Sequence, residues 1–332
     1  MNEAKCQPED YIQFLLASPG RFRCVEAAQV QPGGPDTVAH DAFRRLLLRL
    51  QPDAGTLWQE VRGQIPRDAE GLLVLDNTVL DKPYAQQMGL VGGHFSGKHN
   101  KVVRGITLLT WLWTDGDRHL PCDYRLYDKK ADGCTKNGHF RQMLRAAAAR
   151  GLRPRCVCFD SWYASLDNLK QIRALGWTFL TRLKYNRRVR VGRGPVQLLH
   201  QADLSAQGTQ VWLPGFGLVR VFRIVAQDGD TEYWASNDLG MGELERLRWA
   251  DSSWRIEEYH RGLKQHCGVE RCQARRVRAQ RKHLGLSIRA FLRLEVNCFR
   301  RGWTWLQAKM QIVRRAVAAY LHDPILLLSE GA

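Results

Sequence analysis

Residues 154–183 read PRCVCFDSWYASLDNLKQIRALGWTFLTRL, and this stretch decides the fold class. A short apolar run, Cys156 to Phe159, ends in an acid, Asp160. Leu166, Leu169 and Ile172 then recur at helical spacing, and a second β-type run follows at 177–183. A strand, a helix and a strand in so short a stretch make the crossover of an α/β sheet. The acid stands at the C-terminal end of its strand, where such sheets place their chemistry.

Working outward, residues 71–76 (GLLVLD) form another buried-type strand that ends in an acid, Asp76. Residues 101–113 (KVVRGITLLTWLW) are richer in β-branched and aromatic residues. Thr114-Asp115-Gly116-Asp117 is a turn signal, and residues 119–127 (HLPCDYRLY) complete a hairpin. Residues 138–150 are helical, with Phe140, Met143, Leu144 and an alanine run. The order is β-β-β-α-β-α-β. An antiparallel three-strand start feeding α/β crossovers is the order of a ribonuclease H-like α/β fold with a mixed sheet.

Beyond this core the pattern changes. Arg182, Lys184, Arg187, Arg188, Arg190 and Arg193 form a basic run. Short alternating stretches at 210–213, 217–225 and 232–235, punctuated by Gly and Pro, predict a β-rich insertion at about 186–236. Helices return after Gly240. At the other end, residues 1–65 read as helices at 11–16, 24–30 and 37–50. The third carries Val38, Phe43, Leu46, Leu47 and Leu50 at helical spacing, with Arg44, Arg45 and Arg49 on other faces and Thr37 as a start signal. A short helix, a Gly/Pro turn and an Arg-bearing helix outline a helix-turn-helix DNA reader; a plain helical bundle is the alternative. The expected organisation is an N-terminal DNA-binding domain at 1–65 and a catalytic domain at 70–330.

Composition narrows the function. The 332 residues are 44% hydrophobic and 25% charged, which excludes a disordered chain, a collagen and a coiled-coil rod. No apolar run approaches the ~18–20 residues that span a bilayer, and no basic stretch leads into an apolar core as in a signal peptide. Nine scattered cysteines read as reduced thiols, so the expected location is the cytoplasm. Lys and Arg number 50 against 33 Asp and Glu, a net charge of +17. That surplus favours a polyanionic partner, nucleic acid first.

The segment 254–265, WRIEEYHRGLKQ, carries the third acid. On a helix, Glu257, Arg261 and Lys264 stand at i, i+4 and i+7 and share a face, while Ile256, Tyr259 and Leu263 form an apolar stripe beside them. Alone, this is a surface salt-bridge pattern. Beside Asp76 and Asp160 it completes three carboxylates, the ligand set of Mg²⁺ or Mn²⁺. Two such ions can activate a nucleophile and stabilise the leaving oxygen of a phosphodiester.

With its motifs in order, the chain resembles a DDE transposase of bacterial insertion sequences, of the kind with a β-rich insertion between the second Asp and the Glu. The motifs are LDNTVLDKPY around Asp76, SGKHNKVVRGI after it, DSWYASLDNLK from Asp160 and WRIEEYHRGLKQ around Glu257. The resemblance implies metal-dependent cut-and-paste DNA transposition. Asp76, Asp160 and Glu257 would be the catalytic metal ligands, for two ions of Mg²⁺ or Mn²⁺. It further implies that the N-terminal part binds the inverted-repeat ends, that a homodimer works on paired ends, and that the host compartment is a bacterial nucleoid. The family's Tyr and Arg are replaced by Ala250 and Ser253, while Lys264 matches and would hold a phosphate. Arg261, one turn nearer Glu257, would be the candidate to stand in for the missing Arg. Two other readings stay open: a non-catalytic DNA-binding descendant, and a stand-alone ribonuclease H-like nuclease.

Further candidates are Trp212 and Trp234, for stacking a flipped base or simply for strand packing. Lys98, His99 and Lys101 lie in a loop that suits DNA phosphates or solvent alike. Arg271, Arg275, Arg276, Arg278, Arg281 and Lys282 form a basic stretch suited to phosphate contact. Asp81 and Glu258 are the rivals of Asp76 and Glu257. Cys156 and Cys158 share a strand face and read as core rather than as zinc ligands.

Overall fold

The computed structural model describes residues 4–20, 22–33, 38–49, 54–66, 71–96, 100–226 and 229–326. The N-terminal helices are α1 (Pro8–Ala17), α2 (Cys24–Gln29), α3 (His40–Arg49) and α4 (Ala54–Val61). Each follows its apolar spacing: α1 buries Tyr11, Ile12, Phe14 and Leu15, and α3 buries Phe43, Leu46 and Leu47. Thr37 and Leu50, expected at the ends of the third helix, lie outside the described residues.

The core elements follow in order: β1 (Leu72–Asp81), β2 (Gly92–Ser96), β3 (Lys101–Thr114), β4 (Leu120–Tyr127), α5 (Lys136–Ala149), β5 (Cys156–Phe159), α6 (Leu166–Ala174) and β6 (Phe179–Leu183). A 3₁₀ turn, Ser161–Tyr163, separates β5 from α6. The expected single helix over 161–175 is split there because the Ser165 hydroxyl accepts the backbone N–H of Asn168 and starts α6 afresh. Next come β7 (Arg188–Val191), β8 (Val196–Leu198), β9 (Thr209–Leu213), β10 (Gly217–Val225) and β11 (Thr231–Ser236), then α7 (Glu243–Ser253), α8 (Arg255–His266), α9 (Val277–Arg301) and α10 (Trp305–His322). Among the described residues, no helix is long and apolar enough to cross a membrane.

The result is a mixed α/β fold with N-terminal helices, consistent with a ribonuclease H-like core. The strand order is β2-β3-β1-β5-β6-β11-β10-β9-β7-β8, with β4 also on β3. β1 pairs antiparallel with β3 and parallel with β5, and β5 pairs parallel with β6. Leu72–Leu75 and all of β5 are buried on both faces, which is why these strands read as unbroken apolar runs. One apolar cluster joins Trp111, Phe140, Phe159, Tyr163 and Phe179. β11 pairs with β6, so the strands from the β-rich stretch extend the same sheet.

The chain divides into two compact units. One holds Met1–Asp53, Tyr84–Gly89 and His260–Ala332; the other holds Ala54–Pro83 and Leu90–Tyr259. Within the first, α9 is the central helix and Tyr11 meets the buried His283 ring at 3.0 Å. The second contains the whole sheet.

Candidate active site

Strand register brings the two aspartates together. The last rung between β1 and β5 is Leu75 against Phe159. Asp76 and Asp160 are each the next residue, so they stand side by side where the two strands part. Neighbouring strands run about 4.8 Å apart. Asp160 keeps an extended backbone and caps the 3₁₀ turn by accepting the Ser161 N–H. β1 does not end at Asp76, as the sequence suggested. It continues to Asp81 because β3 still pairs with it over Asn77–Asp81. Asp81 thus lies at the far end of the strand, opposite Gly105.

Glu257 enters from the first turn of α8, where a negative charge is favoured by the helix dipole. Its carboxylate and that of Asp76 offer ligand atoms within 4.8 Å of each other. Burial first, then the charge of Glu257 and more weakly that of Asp160, push the Asp76 carboxyl well above its ordinary value. Glu258 is committed elsewhere: His119 and Arg255 meet it at 3.0 and 2.7 Å. Burial would raise its carboxyl, but the hydrogen bonds from Arg255 and His119 outweigh that and hold it below the ordinary range.

One candidate ligand was missed from sequence. His260 stands at i+3 from Glu257 on α8 and belongs to the donor set that Asp76 and Glu257 begin. Burial, with Lys264 one turn on, lowers its imidazole to about 3. It is therefore neutral at physiological pH, the form in which imidazole ligates metals. The legible signal was Glu-x-x-His, a spacing that puts both side chains on one helix face.

Asn77 anchors a supporting network beside Asp76. Its side-chain oxygen accepts from Tyr163 Oη at 2.7 Å and from Lys136 Nζ at 3.1 Å. Tyr163 is buried and stacks on Phe140, so it ties the turn after Asp160 to the strand that carries Asp76. On the other flank, Arg182 lies 3.7 Å from Asp160 and 2.7 Å from Glu232, and its guanidinium rests on the Trp234 ring. Trp234 also donates its indole N–H to Glu232. Trp212, on β9, is 41% exposed beneath Arg190.

The remaining expected residues are placed as follows. Arg261 is exposed on α8, and Lys264 pairs with Glu270 at 3.3 Å. Arg275, Arg276 and Arg278 are exposed at the start of α9; Arg275 donates to Gln87 and Arg278 to the Arg49 carbonyl. Lys282 is buried on α9, facing away from any phosphate in solvent, because it falls on that helix's apolar side. Lys98 and His99 lie outside the described residues, and Lys101 begins β3. Cys156 and Cys158 are buried core residues.

Comparison with known proteins adds two findings. A family model described as DDE superfamily endonuclease matches residues 3–207, a span that includes Asp76 and Asp160 and stops short of Glu257. Among solved structures, a piggyBac transposase synaptic complex with hairpin DNA is similar over 98% of this chain and 76% of that chain. Its TM-score is 0.50 at 13% sequence identity, a likeness of fold. No curated protein matches.

Proposed function

The chain belongs to the DDE superfamily of endonucleases, and from that premise we propose that it is a cut-and-paste transposase of the bacterial insertion-sequence type. The reading rests on Asp76 and Glu257, which offer ligand atoms within 4.8 Å of each other, with Asp160 one residue past the last rung that pairs β5 with β1. The oxygens of Asp76 and Glu257, with the nitrogen of His260, suit a divalent ion; burial first, and then the charge of Glu257, raise the Asp76 carboxyl, and a cation there would relieve that charge. A pair of Mg²⁺ or Mn²⁺ ions held there would supply an activated water and charge stabilisation for a phosphodiester.

The protein's own groups take the following roles. Asp76, Asp160 and Glu257 hold the charge of the reacting centre. Tyr163 and Lys136 keep the strand beside Asp76 in place through Asn77. Arg182, against Asp160, faces the scissile phosphate, and Trp234 and Trp212 offer stacking surfaces on the inserted β-strands. Lys264, Arg261, Arg275, Arg276, Arg278 and Lys98 contact phosphates of the bound duplex. The N-terminal helices read the terminal inverted repeats, and two copies of the chain work on paired ends before target capture. The Ala250 and Ser253 replacements leave the metal triad intact and alter the grip on the end.

The test is cleavage of a labelled duplex carrying the ends of the encoding element, in Mg²⁺, Mn²⁺ or EDTA. Metal-dependent cutting at the end is expected, lost in Asp160→Ala and Glu257→Ala while both still bind DNA. Specific binding without cutting in either metal would favour the non-catalytic descendant. Cutting that survives both substitutions would place the chemistry elsewhere.

A further inference from the structure

Immediately after Asp160 the 3₁₀ turn sends consecutive side chains in opposite senses. Tyr163 goes inward to Phe140 and Asn77, while Trp162 goes outward and is 60% exposed. Trp162 does not stand alone. It lines an open cleft of about 480 Å³ together with Lys184, Asn186, Arg187, Arg188 and Pro214, a size within the range of pockets that hold small ligands. Lys184 Nζ sits 5.6 Å from the centre of the Trp162 ring.

The charge of the cleft is not internally balanced. Among the described residues, no carboxylate pairs with Lys184, Arg187 or Arg188. Arg187 is half-buried all the same, and burial alone lowers its guanidinium, with no acid nearby to counter it. Three cations without an acidic partner, one of them partly withdrawn from water, make a site that gains from an anion. An exposed indole beside them gains from a flat, apolar face. A nucleotide has both: a phosphate and a base.

We propose that this cleft binds one unpaired nucleotide of a DNA strand, its base stacked on Trp162 and its phosphate held by Lys184, Arg187 and Arg188. The site lies two residues beyond Asp160, so the nucleotide belongs to the strand that leaves the acidic centre. The proposal rests on the reading of that centre as DNA-cleaving. It differs from the roles given to Trp212 and Trp234, which stand on the inserted strands. Trp234 is already engaged by Glu232 and Arg182.

The experiment uses the full chain and a short single-stranded DNA bearing one 2-aminopurine. Its fluorescence reports stacking directly, without turnover. Quenching on binding is expected. Trp162→Ala should abolish the quenching and weaken binding by about 5- to 150-fold, the equivalent of one stacked base. Trp162→Phe should retain most of both, and Lys184→Gln should lower the salt dependence of binding. Trp162 is largely exposed, so these changes spare the core, and melting curves check that. Unchanged quenching in Trp162→Ala overturns the proposal. So does equal affinity for a probe with an abasic site in place of 2-aminopurine, which would mean charge attraction only. Cleavage of the duplex, measured alongside, separates the two readings. Trp162-dependent quenching without metal-dependent cutting removes the nuclease and leaves the cleft; cutting with quenching indifferent to Trp162 does the reverse.

Discussion

Asp76 stands close to Glu257, feels the charge of Asp160 more weakly and is partly withdrawn from water, and this gives it a pH signature. Burial, then the Glu257 charge, raises its carboxyl well above the ordinary 3.8. The folded protein therefore holds a proton there that the unfolded chain has already released. Stability from this group is fully present below about 4 and is lost as pH rises through the raised folded value. In EDTA, Asp76→Asn should melt higher than wild type at neutral pH, by about 2–4 °C for each kcal/mol relieved. The gain should vanish in acid. Mn²⁺ or Mg²⁺ should stabilise the wild type by about 2.7 kcal/mol at a hundredfold excess over Kd, read as a raised midpoint, and leave Asp76→Asn unmoved. A lower neutral-pH midpoint for Asp76→Asn in EDTA would contradict the crowding. The neighbouring Asn77 makes a second residue-scale case. Tyr163→Phe removes one of its two donors and should cost about 10–100-fold in metal affinity or cleavage, with the melting point nearly kept because the ring still stacks on Phe140. Equal cleavage by Tyr163→Phe and wild type would show that the network does not position Asp76. The three proposed acids are singled out in the sequence because each follows an apolar run or shares a helix face with cations. Asn77, Lys136 and Tyr163 were not, since their partnership exists only across distant elements.

At the scale of elements, the two aspartates meet through register rather than through any motif. Apolar runs of four residues, Leu72–Leu75 and Cys156–Phe159, are paired rung for rung, so the residue after each run falls at the same height. That much could be read in advance, because a two-sided buried strand announces itself and its end. β2 could not: Gly92-Gly93-His94 has no apolar alternation, and it becomes a strand only by pairing with β3. Nor could the extension of β1 to Asp81, which depends on the same partner. Gly105 is where this dependence is tightest. A Cβ there would stand 2.6 Å from the Leu80 carbonyl oxygen and 2.5 Å from a Val79 methyl carbon. Gly105→Ala must push β1 and β3 apart at the Asp81 end of β1, away from the acidic centre but on the strand that carries Asp76. A loss of about 1–3 kcal/mol in urea unfolding is expected, as for an overpacked core, with reduced cleavage because Asp76 lies on the displaced strand. An unchanged urea midpoint would mean that the pairing yields without cost.

At the scale of the whole molecule, sequence order conceals how the chain is partitioned. Residues Met1–Asp53 share a compact unit with His260–Ala332, and Tyr84–Gly89 reaches into it from the middle of the chain. No local pattern announces such an interleaving, whereas the net charge of +17 is visible at once. What the structure adds is where the charge is unspent. Lys264 is already paired with Glu270, and Lys282 is buried. Arg275, Arg276 and Arg278 are exposed, and among the described residues no carboxylate meets them. Their free charge should appear as counterion release on DNA binding. Each phosphate neutralised contributes about 0.9 to the slope of log K against log salt. Replacing all three with Gln should lower that slope by up to about 3 and weaken binding evenly across DNA sequences, since phosphate contacts position without specifying. Lys282→Gln should leave the slope unchanged and instead lower the melting temperature, because the side chain is buried in α9. A triple variant that keeps the full slope would mean that DNA does not cross the start of α9, and that the surplus charge acts from another face.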